Sequence, residues 1–138
     1  MVFGSAVTIW LVGALIGSML FFAFTVAPTV FRSLPADHAG LFLRAFFPRY
    51  YLWGLILALI AAAFAIPANA IVSTACFLVA LLFVYVRQTL MPQINRARDD
   101  ELQGMPGAGK RFKTLHMWSV AINGFQMLIL LAVAVLLL

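Results

Sequence analysis

Four apolar runs, at about residues 6–27, 49–66, 71–91 and 115–138, govern what this chain can become. Each approaches the ~20 residues that carry an α-helix across a hydrocarbon core, and none shows the in-out alternation of a barrel strand. Inside lipid a backbone has to satisfy its own hydrogen bonds, so uninterrupted runs of this kind predict membrane-spanning helices. Hydrophobic residues make up 65% of the sequence and the mean hydropathy is +1.09. Soluble domains are only about half apolar. The expected fold is therefore all-α: one integral membrane domain of 138 residues, a four-helix up-down bundle with a short interfacial helix before the second span.

Charge is segregated as sharply as hydrophobicity. All 9 basic and 4 acidic side chains lie between Arg32 and Arg49 or between Arg87 and Lys113. The positive-inside rule puts both segments in the cytoplasm, and the two termini and the Pro67 to Ala70 turn on the far side of a cytoplasmic (inner) membrane. The net charge of +5 is thus membrane topology. Membrane lipids, with anionic headgroups at the cytoplasmic face, are its natural partners. Nucleic acid is not an expected partner, because no base-stacking or groove-reading element accompanies the basic residues. The lone Cys76 sits inside the third run and has no intrachain disulfide partner.

Along the chain, Gly13 and Gly17 form a small-residue pair, and Gly54, Ala58 and Ala62 offer a ridge to receive it. The cytoplasmic interfacial segment 32–48 contains a short helix expected to bend into the membrane at Pro48. That bend places Arg49, Tyr50, Tyr51 and Trp53 at headgroup depth as anchors. Arg87 is close enough to the third run's end to snorkel to the surface. Segment 92–113 reads as a helix end, bent near Pro92 and carrying local ion pairs among Arg96, Arg98, Asp99, Asp100 and Glu101, followed by a Gly-rich linker. Gly104, Gly109 and Lys110 match the spacing of a phosphate-binding loop, but Arg111 stands where that loop needs Ser or Thr, and a membrane helix follows.

The chemistry-bearing residues cluster at the entry to the last run. His116, Ser119, Asn123 and Gln126 recur at helical spacing and share one stripe. A second stripe, Tyr85, Gln88, Pro92 and Asn95, is expected to face it from the third helix. Two readings stay open: interhelical hydrogen bonding, or a polar pocket lined by His116, Ser119, Asn123 and Gln126 with Arg44, Arg49 and Asn95 at its mouth. The pocket would bind or transport a small solute or a lipid headgroup between the third and fourth helices. A structural or accessory subunit of a larger membrane complex is the alternative, and a homo-oligomer is compatible with either. No catalytic set is present, because Ser119 and His116 lack a membrane-embedded carboxylate to orient the imidazole. His116 and His38, with Asp37 and Met117, supply too few ligands at recognisable spacing to assign a metal site or cofactor, which leaves haem or copper as a third alternative.

Four segments carry a family resemblance: VAPTVFRSL after the first run, AGLFLRAFFPRYYLWG into the second, MPQINRARD after the third and RFKTLHMWSVAIN into the fourth. Together they resemble the small four-helix membrane proteins typified by transmembrane protein 205. The resemblance implies a four-span fold and links to drug or metal resistance, without an assigned reaction.

Overall fold

Helices long and apolar enough to cross a membrane account for most of the chain in the computed structural model, which describes residues 2–138. They are four: Phe3–Ser33, Ala36–Ala65, Ala70–Leu102 and Ala108–Leu137. No strand occurs among the described residues. At 1.5 Å per residue such helices reach about 45 Å, well beyond a ~30 Å hydrocarbon core. Their charged ends therefore project past the lipid.

Each helix packs on the next and the fourth closes against the first. The helices stand in a square, with the second and fourth across one diagonal. The turns are tight. Leu34, in extended conformation, and Pro35 reverse the chain between the first two helices. Asn69 starts the third, its Oδ1 accepting the amides of Ile71 at 3.0 Å and Val72 at 3.1 Å. Gly104 and Gly107, with φ of 72° and 74°, supply the left-handed turn before the fourth. The stretch expected as a flexible linker is thus a short structured turn.

The first and third helices repeat one device. Thr25, Pro28 and Arg32 in the first match Thr89, Pro92 and Arg96 in the third, in order and spacing. Before each proline lies a π-helical turn, Phe22–Val26 and Val86–Leu90. The amides of Ala27 and Met91 reach five residues back, to Phe22 and Val86. A wider turn makes room for a ring that would otherwise strike the carbonyl four residues earlier. The second and fourth helices also share a pair, Trp53–Gly54 and Trp118–Ser119. The two hairpins thus share one residue pattern, in the same order along the chain.

Pro48 does not break the second helix, which runs unbroken from Ala36 to Ala65. The expected interfacial helix is the first part of that helix. The small-residue pairing also differs from expectation. Gly13 and Gly17 face outward, and no atom lies within 4 Å of where a Cβ would stand. The alanine ridge of the second helix is buried instead under Thr8, whose hydroxyl donates to the carbonyls of Gly4 at 2.8 Å and Ala61 at 3.4 Å. On its other side Ser73 donates to the carbonyl of Ala62 at 2.9 Å. Gly54 lies beneath the buried ring of Phe83, which a Cβ would meet at 2.5 Å. Gly54→Ala should therefore destabilise by about 1–3 kcal/mol through overpacking, whereas Gly17→Ala, which meets nothing, should leave stability unchanged or raise it slightly. Thermal unfolding of the two variants in detergent checks the contrast.

Candidate functional site

The polar stripe of the fourth helix divides in the structure. Gln126 is fully buried and its Nε2 donates to the carbonyl of Val79 on the third helix at 3.1 Å. Ser119 is buried but donates back to the carbonyl of His116, at 2.7 Å, within its own helix. His116 itself is exposed and stacks on Phe112. It stands outside the seam.

Asn123 behaves differently. Its Oδ1 is buried without a hydrogen-bond partner, and so is the hydroxyl of Tyr50. The two side chains are close enough for the amide to act on the phenol, although neither atom makes a bond of acceptable geometry to any other group in the structure. They meet across the diagonal, Tyr50 from the second helix and Asn123 from the fourth. Around the phenol stand Phe22 at 5.1 Å, Tyr51 at 5.4 Å, Phe46 at 5.7 Å and Phe47 at 6.4 Å between ring centroids. Phe83 extends this aromatic wall from the third helix, against Tyr51. Tyr50 and Tyr51 were expected as headgroup anchors, and both are core residues. Phenol and amide are thus held in apolar surroundings, where an unpaired polar group costs about 1–3 kcal/mol.

The third helix does not offer the polar stripe expected of it. Tyr85, Gln88 and Pro92 are exposed, while Val86, Leu90, Met91 and Ile94 face the core. Arg87, expected to snorkel outward, is half-buried and donates through Nε to the carbonyl of Pro48 at 3.1 Å.

At the charged end the residues expected at a mouth are only partly gathered. Arg44 grips Asp99 through two nitrogens, at 2.7 Å and 3.3 Å, and reaches the backbone carbonyl of Asn95 at 3.4 Å. Arg49 is exposed and folds onto the carbonyl of Ala45 in its own helix at 2.7 Å. Arg111 pairs with Asp100. Of the pairs expected within the third helix's end, only Arg98–Glu101 is local, and Arg98 also lies over the Phe112 ring. Asp99 and Asp100 instead tie the third helix to the second and the fourth. The hydrogen bond from Arg44 holds the Asp99 carboxyl below its ordinary range. Both partners are partly exposed, so the contribution is small.

Two open grooves lie elsewhere. One of about 470 Å³ runs along the outer face of the fourth helix, lined by Lys113, Thr114, Met117, Trp118 and Ala121. Another, of about 390 Å³, sits between the second and third helices near Ile66 and Ser73. His38 is exposed beside Asp37, 3.8 Å away. No group of three or more His, Cys, Asp or Glu side chains is gathered among the described residues.

Four apolar helices around a core with buried polar groups define a multi-pass membrane protein of the helical-bundle class. No curated protein and no solved structure matches the chain. It belongs to the family described as "Domain of unknown function (DUF4149)", whose model matches residues 10–103. Tyr50, Arg44 and Asp99 lie inside the matched segment, and the fourth helix with Asn123 lies beyond it.

The two kinds of polar residue should respond differently to removal. Gln126→Leu should lower stability by about 0.6 kcal/mol, the usual worth of such a bond between membrane helices. Tyr50→Phe should change stability little, because the hydroxyl it removes has no well-formed bond, even to the Asn123 amide beside it. Thermal unfolding in detergent measures both. The Asp99 pair gives a third expectation with a definite sign. A depressed carboxylate stabilises fully above its unfolded value, near 3.8, and loses that contribution as pH falls through its lower folded value. The melting-temperature difference between wild type and Asp99→Asn should shrink as pH is taken below 3.8.

Proposed function

We propose that this protein binds a small polar solute or a lipid headgroup within the charged half of the bundle and passes it along the helices. Tyr50 and Asn123 are the receiving groups, and Gln126 and Ser119 form the deeper wall. What supports this reading is one observation: the Tyr50 hydroxyl and the Asn123 amide oxygen, from diagonal helices, are buried side by side with no hydrogen-bond partner beyond each other. A phenol that donates or accepts, beside an amide, suits a hydroxyl or amide group that does both. Polar groups facing the interior of a membrane bundle are where ligand paths are built. The shared pattern of the two hairpins is of a kind with the parallel repeats of several transporter folds, and the resemblance to the transmembrane protein 205 type implies links to drug or metal resistance without an assigned reaction.

In this reading the charged end faces the cytoplasm, both termini lie on the far side, and the mouth is closed by the Arg44–Asp99 and Arg111–Asp100 pairs. Both pairs lie at exposed sites, where such pairs contribute little, so the mouth parts readily. Arg49 and His116, both exposed, meet the solute outside it. A second reading, an accessory subunit or homo-oligomer, is favoured by the unpartnered Gly13–Gly17 face. Native purification with a stoichiometric partner would support that one.

The test is a melting-temperature screen of the purified protein against hydroxyl- and amide-bearing solutes and headgroup analogues such as inositol, ethanolamine and glycerol phosphate. A true ligand at 100 times its Kd stabilises by about 2.7 kcal/mol. The expected result is a shift seen in wild type and lost in Asn123→Leu, with Tyr50→Phe weakened. A ligand that shifts all three proteins equally sinks the proposal.

A further inference from the structure

The groove on the outer face of the fourth helix is independent of the buried pair. It runs between two rows of side chains, Lys113, Met117 and Ala121 on one side and Thr114 and Trp118 on the other. Lys113 stands at the charged end, and Trp118 lies about 7.5 Å further along the axis at the usual rise. All the lining residues are exposed.

Charge at this groove is unbalanced. Asp99, Asp100 and Glu101 are engaged by Arg44, Arg111 and Arg98, and Asp37 lies beside His38. Lys110 and Lys113 have no acidic partner among the described residues. The two matching tryptophans also differ. Trp53 donates its indole N–H to Ser18 at 3.0 Å, whereas Trp118 makes no hydrogen bond among the described residues and is 62% exposed. The groove therefore offers an ammonium at the surface, a free N–H just below it, and an apolar furrow beneath. A lipid of negative headgroup presents the complementary order.

We infer that this furrow is a site for one anionic phospholipid, its phosphate on Lys113 with Lys110 beside it, its glycerol region against the Trp118 indole, and an acyl chain along Met117 and Ala121. A cation near an anionic headgroup is worth about fivefold in affinity, so the preference over a zwitterionic lipid is of that order.

The test uses full-length protein carrying Trp10→Phe and Trp53→Phe, which leaves Trp118 as the sole tryptophan. It is reconstituted in phosphatidylcholine vesicles doped with either brominated phosphatidylglycerol or brominated phosphatidylcholine at equal mole fraction, and Trp118 quenching is compared. The expected quenching ratio is about fivefold in favour of the glycerol lipid. Lys113→Gln brings it near one, and Lys113→Arg preserves it. Arg32→Gln, an equal charge loss elsewhere at the same end, leaves the ratio unchanged. A wild-type ratio near one overturns the site, as does a ratio indifferent to Lys113→Gln. An equal fall in Arg32→Gln would mean diffuse surface charge and also overturns it. Soluble sn-glycerol 3-phosphate at matched ionic strength should not erase the preference. If it does, the furrow binds free anions and the lipid assignment falls.

Discussion

A bilayer interior offers no water to a polar atom, and the arrangement of this bundle follows from that constraint. Hydroxyls within the spans bond to carbonyls: Thr8 to Gly4 and Ala61, Ser73 to Ala62, Thr74 to Ala70. Gln126, the longest of the buried polar side chains, crosses to Val79. The bonds of Thr8 to Ala61, Ser73 to Ala62 and Gln126 to Val79 tie neighbouring helices, where alanine and glycine let backbones come close. The second helix carries most of this small-residue surface and packs against both the first and the third. Against that background of satisfied groups, the Tyr50 and Asn123 atoms are the exception.

The two ends of the molecule are held by different forces. At the uncharged end the links are hydrogen bonds to backbone, from the Asn69 cap, the buried Thr8 and the half-buried Ser73. At the charged end the links between helices are ion pairs between half-exposed side chains, which salt screens and which contribute little. The aromatic group around Tyr50 lies between these regimes. Its rings, contributed by the first, second and third helices, provide the packing that the ion pairs do not.

Much of this was legible in the sequence. Helix number and helix class follow from uninterrupted apolar runs, whose length a bilayer fixes, whereas the helices run past those runs into the charged segments. Facing was harder to read. The stripe of Tyr85, Gln88, Pro92 and Asn95 assumes a constant helical period, but the π turn at Val86–Leu90 interrupts it, so the residues on either side do not share a face. In the fourth helix the residues turned inward are Ala108, Phe112, Leu115, Ser119, Ile122 and Gln126, at alternating spacings of four and three. That is the seam of a left-handed bundle. His116 is one residue out of phase with it, and its neighbour Leu115 takes the inward position. The same rhythm through Phe47, Tyr50, Gly54 and Leu57 marks Tyr50 as a core residue. An aromatic belt was the more general explanation for that tyrosine, and it concealed the signal. The long-range pairs of Asp99 and Asp100 left no trace in local spacing, since their partners come from other helices.

The widened turns before Pro28 and Pro92 also bear on how the chain tolerates changes in length. A π turn holds one residue more than the α turn it replaces. Removing one residue from Val86–Leu90 would therefore restore ordinary winding while the helix beyond keeps its facing, at the cost of setting the proline ring against the carbonyl four residues before it. A deletion in the regular winding before this turn would instead swing everything beyond it by about 100°, taking Ile94 and Ala97 out of the interior and turning Asp99 away from Arg44. A single-codon deletion there would thus act at a distance, on side chains it does not touch, while a conservative replacement at the same place would be absorbed. The register of the charged end is kept by residue count more than by residue identity.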